Sequence, residues 1–208
     1  MLARLSYNGT AAFLLSNGSL GADAEEYKIR KKLIENHKVE AIINLPRDMF
    51  YATDIPVSLW ICGNHKKPKK VKREGKEVVL RNRENEILFI DARYQGDNGN
   101  NEDGFTMLTE ESKKLIAQTL FDWQSPEWKT RYHDVPEFCY SASMDEIRNK
   151  DWTLVPSRYI EFVNRDSKLD YKSEMAKIQS IVKDDISEQK KTHALLEKSF
   201  AEVGYELN

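Results

Sequence analysis

Apolar residues follow two spacings in the first part of the chain, and each spacing predicts a different element. Residues 11–15 form a short, uniformly apolar run, which is typical of a strand covered on both faces. Residues 24–37 carry apolar side chains three and four positions apart among lysines and arginines, which predicts an amphipathic helix. Residues 39–45 form a second apolar run that Pro46 ends. The order strand, helix, strand predicts a βαβ unit.

A third apolar run, residues 57–62, follows the second after a short connection that contains prolines and aromatic residues. This connection is too short for a helical crossover, which parallel strands require. We therefore expect the second and third strands to pair antiparallel as a wide hairpin.

The middle of the chain alternates between polar segments and further elements. Residues 64–85 are basic and poor in core residues, which predicts a mobile loop with room for a short edge strand. Residues 86–92 are again strand-like. Thr109, followed by two glutamates, is a typical helix start, and this helix is expected to end near Trp123. Ser143 is expected to begin another short helix.

The C-terminal part of the chain carries a narrow apolar seam at spacings of three and four, which predicts one long helix. A seam this narrow needs a partner. Its width does not distinguish the body of the same chain from another protein. The seam consists of Met175, Ile178, Val182, Ile186, Gln189, His193, Leu196, Phe200 and Val203.

Composition narrows the class of protein. The chain has 208 residues and a formal net charge of −2, so charge alone does not favour nucleic acid or a membrane. Cys62 and Cys139 lie far apart without metal-ligand spacing, and the four histidines are scattered, so neither a disulfide nor a metal site is expected. No run reaches the ~18 apolar residues of a membrane span, and the N-terminus lacks a leader pattern, so we expect a cytoplasmic protein.

Several short motifs follow one another in a specific order. They are Ser16-Asn17-Gly18, Ile29-Arg30-Lys31, Leu45-Pro46, Phe50-Tyr51 and Thr53-Asp54-Ile55-Pro56, and then residues 87–93, 134–139 and 154–159. As an ordered set, over about residues 8–205, they resemble the modification subunit of type I restriction-modification systems, a family that methylates adenine at N6 in DNA.

This resemblance implies an α/β fold: the C-terminal half of a Rossmann-like (class I) methyltransferase sheet, followed by a helical C-terminal region with a long terminal helix. On this basis we expect residues 1–95 to form the partial methyltransferase domain. Residues 96–208 are expected to form a helical region for subunit assembly.

Two motifs of the family have no counterpart in the sequence. They are the Gly-rich loop that binds S-adenosylmethionine and the Asn-Pro-Pro-Phe/Tyr tetrapeptide that positions the target amine. We expect both to precede residue 1 in the full-length protein, so this chain has no catalytic or cofactor-binding residue of its own and is inactive alone. The resemblance implies S-adenosylmethionine as cofactor of the full-length enzyme. It also implies DNA, a specificity subunit, a restriction subunit and a second modification subunit as partners.

Phe50 and Tyr51 are the candidates for contact with the target base. An enzyme that acts on a base inside a duplex must extrude it, and stacking on an aromatic ring recovers part of the cost. By resemblance to N6-adenine methyltransferases, Phe50 is the first candidate and Tyr51 the second. The alternative is that one of the two rings packs on the core beside Met49 and Ile55.

A run of cations follows the third strand, and it contains the candidate DNA-binding residues Lys66, Lys67, Lys69, Lys70, Lys72 and Arg73. Contact with DNA phosphates is one role for such a run. A solvated loop is the alternative, favoured here because no aromatic residues are interleaved with the cations. Asp91, at a strand end without a second acid or base, is expected to have a structural role in a turn.

Three classes of function remain. The first is a piece of a DNA adenine methyltransferase. The second, compatible with the first, is a non-catalytic α/β interaction module that docks on a DNA-specificity subunit through its C-terminal helix. The third is an unrelated nuclease or nucleotide-binding domain, which would need acidic clusters or phosphate-binding glycines that the sequence lacks.

Overall fold

The computed structural model describes residues 2–50, 54–73, 75–97, 105–163, 170–202 and 204. The chain divides into two compact units, Met1–Val163 and Asn164–Asn208. In the part of the chain that is described, all strands lie in the first unit, and the second unit is one long helix.

The first unit contains nine strands and four α-helices within its described residues. The strands are β1 (Thr10–Ser16), β2 (Val39–Asn44), β3 (Val57–Gly63), β4 (Lys69–Arg73), β5 (Lys76–Leu80), β6 (Glu86–Asp91), β7 (Gly96–Asp97), β8 (Met107–Leu108) and β9 (Cys139–Ser143). The helices are α1 (Ala24–Glu35), α2 (Glu110–Gln124), α3 (Trp128–Arg131) and α4 (Met144–Asn149), and the second unit contributes α5 (Tyr171–Glu202).

Five of these strands form the main sheet, in the order β1, β3, β2, β6, β9. β2 and β6 are parallel, and every other neighbouring pair is antiparallel. Because β1 and β2 both run antiparallel to β3, they are parallel to each other, with β3 inserted between them. The predicted βαβ unit and the antiparallel pairing of β2 with β3 are both confirmed.

The hydrophobic core lies on both faces of β2, which is buried along its whole length. On one face Ile42 joins a cluster that contains Ile34 of α1 and Phe89 of β6. On the other face Ile43 joins a second cluster that contains Trp123 of α2. Because both faces are covered, the strand is continuously apolar except for Glu40 and Asn44.

β1 is the edge strand of the main sheet. The expectation that it is covered on both faces is wrong, since Leu14 is 45% exposed and Leu15 is 39% exposed. An apolar run indicates that its side chains favour burial. Whether the strand lies at the edge or in the centre of the sheet depends on partner strands elsewhere in the chain.

The basic segment between β3 and β6 forms an antiparallel hairpin, β4–β5, with continuous pairing from Lys69↔Leu80 to Arg73↔Lys76. The prediction of a mobile loop is therefore wrong over these strands, although it allowed for one short edge strand. Lys69 and Leu80 lie together on the buried face of this hairpin.

The predicted helices are confirmed. Thr109 Oγ1 accepts a hydrogen bond from Ser112 N at the start of α2, and Ser143 forms a capping box with Glu146 at the start of α4. The long C-terminal helix is α5, which spans 32 residues, and none of its described side chains is buried.

Candidate functional site

The carboxyl ends of the parallel strands β2 and β6 lie side by side at one edge of the sheet. Asn44, the last residue of β2, is in register with Asp91, the last residue of β6. Ala92 N then donates to Asn44 O at 2.9 Å, so the two loops that follow these strands start in contact. Ligands of open α/β sheets bind at this edge, where neighbouring connections run to opposite sides.

The two connections lead to strands on opposite sides of the β2–β6 pair. The loop after β2 leads to β3 on one side of β2, whereas the chain after β6 returns as β9 on the other side of β6. Between the loops lies a cavity of about 420 Å³, here called the β2–β6 crevice. It is lined by Pro46, Arg47, Asp48, Arg93, Tyr94, Gly96 and Thr106.

The loop after β2 carries Phe50 and is held by the segment after β6. Thr106 N donates to Asp48 O at 2.9 Å. A Cβ on Gly96 would overlap Thr106 Cγ2 and would lie 3.0 Å from Pro46 Cγ, so this close approach requires glycine. Asp48 itself has a φ of 58°, in the left-handed region that aspartate tolerates better than most residues.

Phe50 is half-buried at the end of this loop and belongs to neither core cluster. Its neighbour Met49 packs against the second cluster, and Ile55 is exposed. The stacking role of Phe50 stays a prediction. Tyr51, the second stacking candidate, lies outside the described residues.

Asp91 has the structural role expected from the sequence. Its carboxylate is buried and forms a bidentate pair with Arg93, with Nε–Oδ1 at 2.8 Å and Nη2–Oδ2 at 2.6 Å. Arg93 N also donates to Asp91 Oδ1 at 3.2 Å, which closes the turn after β6. The hydrogen bonds to Asp91 raise the pKa of Arg93, so this guanidinium is permanently charged and held in one plane.

The candidate DNA-binding cations divide between buried and exposed positions. Lys66 is fully buried, and its ammonium donates to Val39 O at 2.9 Å and to Glu86 O at 2.6 Å. Desolvation lowers the pKa of Lys66 to about 8. Lys69 is also buried and donates to Asn8 O, and the Arg73 guanidinium contacts Gln124 and lies over the Phe121 ring at 3.9 Å.

The exposed cations of the run are Lys67, Lys70 and Lys72. Lys70 and Lys72 share the outer face of the β4–β5 hairpin because side chains two apart in a strand point the same way. Glu77 on the neighbouring strand pairs with Lys70 at 3.0 Å, which offsets part of the positive charge. Three of the six candidates are therefore available to a phosphate in this conformation.

Sequence reasoning missed the carboxylate that anchors the hairpin. Glu40, the second residue of β2, accepts hydrogen bonds from Arg83 Nε at 2.7 Å and Gln124 Nε2 at 2.6 Å, and all three side chains are buried. The sequence signal for this ion pair was a single acid within the otherwise apolar run VEAII. A charged side chain in a buried strand must be paired, so Glu40 indicated a buried partner.

The strand-to-helix turn between β1 and α1 is packed on one side by the segment that follows α4. It contains Gly18 and Gly21, but a Cβ on Gly21 would lie 3.3 Å from Val155 Cγ2. Leu154 N also donates to Leu20 O at 2.9 Å. Residues 154 and 155 thus occupy the Gly21 side of this turn.

In the described ranges, no three His, Cys, Asp or Glu side chains come together as metal ligands. Burial raises the pKa of the Cys62 thiol to about 12, so this cysteine is not a reactive thiolate. No helix within the described ranges has the length and apolar character needed to cross a membrane.

The helix α5 presents its apolar seam to solvent. Ile178, Val182 and Ile186 of the first half of the seam are each about half exposed. Gln189 and His193 make its middle polar, and His193 Nδ1 lies 3.3 Å from Glu197 Oε1. Leu196 and Phe200 continue the seam beyond them.

Comparison with known proteins identifies relatives of the chain. The family model "N-6 DNA Methylase" matches residues 1–168. The type I restriction enzyme HindI methylase subunit of Haemophilus influenzae is 31% identical over 208 residues, covering 99% of this chain and 42% of the relative. The type I restriction enzyme MjaIX methylase subunit of Methanocaldococcus jannaschii is 29% identical, covering 95% of this chain and 33% of the relative. The chain spans less than half the length of these curated relatives.

Solved structures agree on the fold. The type I restriction-modification methyltransferase subunit of Streptococcus thermophilus matches with a TM-score of 0.56 at 27% identity, over 74% of this chain and 27% of that chain. A type I restriction-modification structure described for its complex assembly and conformational transition matches with a TM-score of 0.50 at 13% identity, over 93% of this chain and 37% of that chain. The predicted fold class, part of a Rossmann-like methyltransferase sheet with a long terminal helix, is confirmed. Because the family model covers most of its length, the chain belongs to the N-6 DNA methylase family.

Proposed function

We propose that the full-length protein containing this chain is the modification subunit of a type I restriction-modification system. It methylates adenine at N6 in DNA, with S-adenosylmethionine as the methyl donor. The observation that carries the proposal is a half-buried aromatic side chain, Phe50, on a clamped loop at the carboxyl edge of a sheet of this family. This chain supplies the target-base side of the cleft and a platform for assembly.

Phe50 stacks on the extruded adenine. Its ring is not part of either core cluster, and the loop that carries it is fixed at Asp48 and Pro46 by the segment after β6. A ring held in this way loses little conformational freedom when a base stacks on it, and such stacking is worth about 1–3 kcal/mol per base. Tyr51 is the second candidate for the same role.

The methyl-donor pocket is supplied by another part of the full-length protein. Support comes from the β1–α1 turn, which residues 153–155 cover, and from the missing Gly-rich and Asn-Pro-Pro motifs. The edge of β1 away from β3 has no strand partner among the described residues. Beside it, an apolar groove of about 310 Å³ is lined by Phe13, Leu15, Ile29 and Trp60 among others. A further strand of the methyltransferase sheet pairs with this edge and fills this groove.

The β4–β5 hairpin and the residues just before it contact DNA phosphates through the exposed cations Lys67, Lys70 and Lys72. Lys66, Lys69 and Arg73 act indirectly, because their buried or packed side chains hold the hairpin in place. A fixed array of cations binds a phosphate backbone at a smaller entropic cost than a flexible loop does.

The helix α5 docks on the DNA-specificity subunit of the complex, which also contains a restriction subunit and a second modification subunit. The exposed seam from Ile178 to Phe200 supports this role, since a helix of this length with no buried side chain gains stability by packing against other helices. A non-catalytic interaction module remains the alternative function, and the same seam supports it.

A methyl-transfer assay distinguishes the two functions. The full-length subunit, assembled with its specificity subunit, is incubated with duplex DNA and S-adenosylmethionine labelled in the methyl group. The DNA is then digested to nucleosides. We expect the label in N6-methyladenine. Assembly without transfer would favour the interaction module, and label in a methylated cytosine would contradict the proposed substrate.

A further inference from the structure

The β2–β6 crevice contains two guanidinium groups from two different loops. Arg47 lies in the loop after β2 that also carries Phe50, and Arg93 lies in the loop after β6. These loops lead to β3 and β9, which lie on opposite sides of the β2–β6 pair, and ligand crevices of open α/β sheets form where connections part in this way. The exposed ring of Tyr94 forms part of the same wall and lies against Arg93, at 5.7 Å from Cζ to the ring centroid.

Arg93 is oriented by a buried group. The Asp91 carboxylate accepts hydrogen bonds from Nε and Nη2 of the Arg93 guanidinium. Nη1 has no hydrogen-bond partner among the residues described. A planar guanidinium fixed along one side by a carboxylate presents its remaining N–H groups in a defined direction, which suits recognition of a phosphate oxygen.

Arg47 is the second cation of the crevice. It is exposed and forms no ion pair with any described residue. Asp48 lines the same crevice, and its carboxylate opposes the binding of an anion. The positive charges of Arg47 and Arg93 are balanced by the negative charges of Asp48 and Asp91. Directed hydrogen bonds, rather than net charge, must therefore hold an anion in the crevice.

We propose that the β2–β6 crevice binds one phosphate of the DNA strand that carries the target base, with Arg47 and Arg93 as hydrogen-bond donors. The inference rests on the proposed function, because the phosphate belongs to the same DNA whose extruded base stacks on Phe50. A backbone phosphate held beside the loop of Phe50 fixes the position of the strand while the base leaves the duplex.

Two substitutions with opposite expected effects test this site. In the assembled complex of the methyl-transfer assay, the dissociation constant for a fluorescein-labelled duplex is measured by anisotropy at several salt concentrations. Arg47→Gln weakens binding by about 3- to 10-fold and lowers the slope of log Kd against log salt by about 0.9. Asp48→Asn tightens binding by about 2- to 5-fold, because it removes a repulsive charge and asparagine tolerates the left-handed backbone.

The control is Lys129→Gln, which removes an exposed cation near Glu86, at the opposite end of β6. It should change neither the affinity nor the slope. If the unsubstituted complex binds the duplex and both crevice variants behave like the control, this inference is wrong and the stacking role of Phe50 stands. A complex that neither binds nor methylates DNA overturns the proposed function as well.

A second arm separates a DNA phosphate from a free anion. Inorganic phosphate is titrated into the complex, at constant ionic strength, while the ¹⁵N resonances of the arginine side chains are followed. Saturable shifts of Arg47 and Arg93, in a complex whose DNA affinity is insensitive to both substitutions, would assign the crevice to a free anion and overturn the DNA assignment.

Discussion

Glu40 and Arg83 form an ion pair inside the first unit, with Nε–Oε1 at 2.7 Å and both side chains buried. Glu40 lies in β2 and Arg83 follows the β4–β5 hairpin, so the pair ties the basic hairpin to the centre of the sheet. Gln124 of α2 donates to the same carboxylate oxygen. Three segments far apart in sequence therefore meet at one buried acid.

Glu40→Gln should destabilise the protein strongly. The substitution keeps the volume of the side chain but leaves the buried Arg83 guanidinium without its counter-charge, which costs about 3–5 kcal/mol. Urea denaturation measures the loss as a fall in the free energy of unfolding. Glu77→Gln is the matched control, because its exposed pair with Lys70 contributes at most about 1 kcal/mol. Equal losses in the two variants would contradict an anchoring role for Glu40.

Lys66→Met should change how stability depends on pH. The folded state lowers the pKa of Lys66 from 10.5 to about 8, whereas the unfolded chain keeps the ordinary value. Below pH 8 the lysine is charged in both states. Between pH 8 and 10.5 the unfolded state binds more protons, so this group makes the folded state more stable as pH rises.

The effect appears as a difference between two proteins. Between pH 7 and pH 9, the unfolding free energy of the wild type should rise relative to that of Lys66→Met by about 1 kcal/mol. Contributions from other groups, such as the Cys62 thiol, are common to both proteins and cancel. Lys70→Met, which alters an exposed lysine of the same run, should show no such relative change. A constant difference between wild type and Lys66→Met across this range would show that Lys66 titrates normally.

Gly96→Ala should disturb the loop that carries Phe50. The added methyl group would overlap Thr106 Cγ2 and crowd Pro46, and overpacking of this kind costs about 1–3 kcal/mol. Thermal denaturation measures this loss. Gly18→Ala is the control, because the atom nearest to its Cβ would be Ser16 Oγ at 3.8 Å. Similar melting temperatures for Gly96→Ala and wild type would mean that the contact between the two loops is readily relaxed.

Phe50→Ala in the full-length enzyme should slow methylation more than it weakens cofactor binding. Loss of a stacking ring raises the cost of extruding the base by about 1–3 kcal/mol, which is roughly a 5- to 150-fold lower rate at subsaturating DNA. Single-turnover kinetics and equilibrium binding of S-adenosylmethionine provide the two measurements. Met49→Ala is the comparison, since Met49 packs on the core and its loss should lower stability. Parallel losses of rate and cofactor affinity in Phe50→Ala would indicate a core role for the ring.

Removal of the residues after Leu169 should abolish assembly with the specificity subunit, because it removes the whole of α5. A finer test substitutes one seam position, Ile178→Asp, and one position on the opposite face of the helix, Ser180→Asp. A charge in the seam should prevent packing, whereas the same charge at residue 180 should not. Size-exclusion chromatography of the mixed subunits gives the readout, and an unchanged complex with Ile178→Asp or with the truncated chain would contradict the docking role.

Elements whose signals are local could be predicted from the amino-acid sequence. The helical spacing in α1 and α2, the caps at Thr109 and Ser143, and the short connection between β2 and β3 each depend on residues close together in the chain. The ordered motifs from Ser16-Asn17-Gly18 to Thr53-Asp54-Ile55-Pro56 were sufficient to indicate the family, because they are also read along the chain.

Which of these residues are buried, paired or exposed depends on the packing of the folded chain. β1 lies at the edge of the sheet because β3 is inserted between it and β2, and no property of residues 10–16 reports that. Lys66 is buried because the backbone carbonyls of Val39 and Glu86 converge on its ammonium. Arg47 and Arg93 share one crevice because β2 and β6 are parallel neighbours. Periodicity and helix capping depend on residues close together in the chain, so they can be predicted from the sequence. Burial and charge pairing depend on segments distant in sequence, so they can be assigned only from the folded structure.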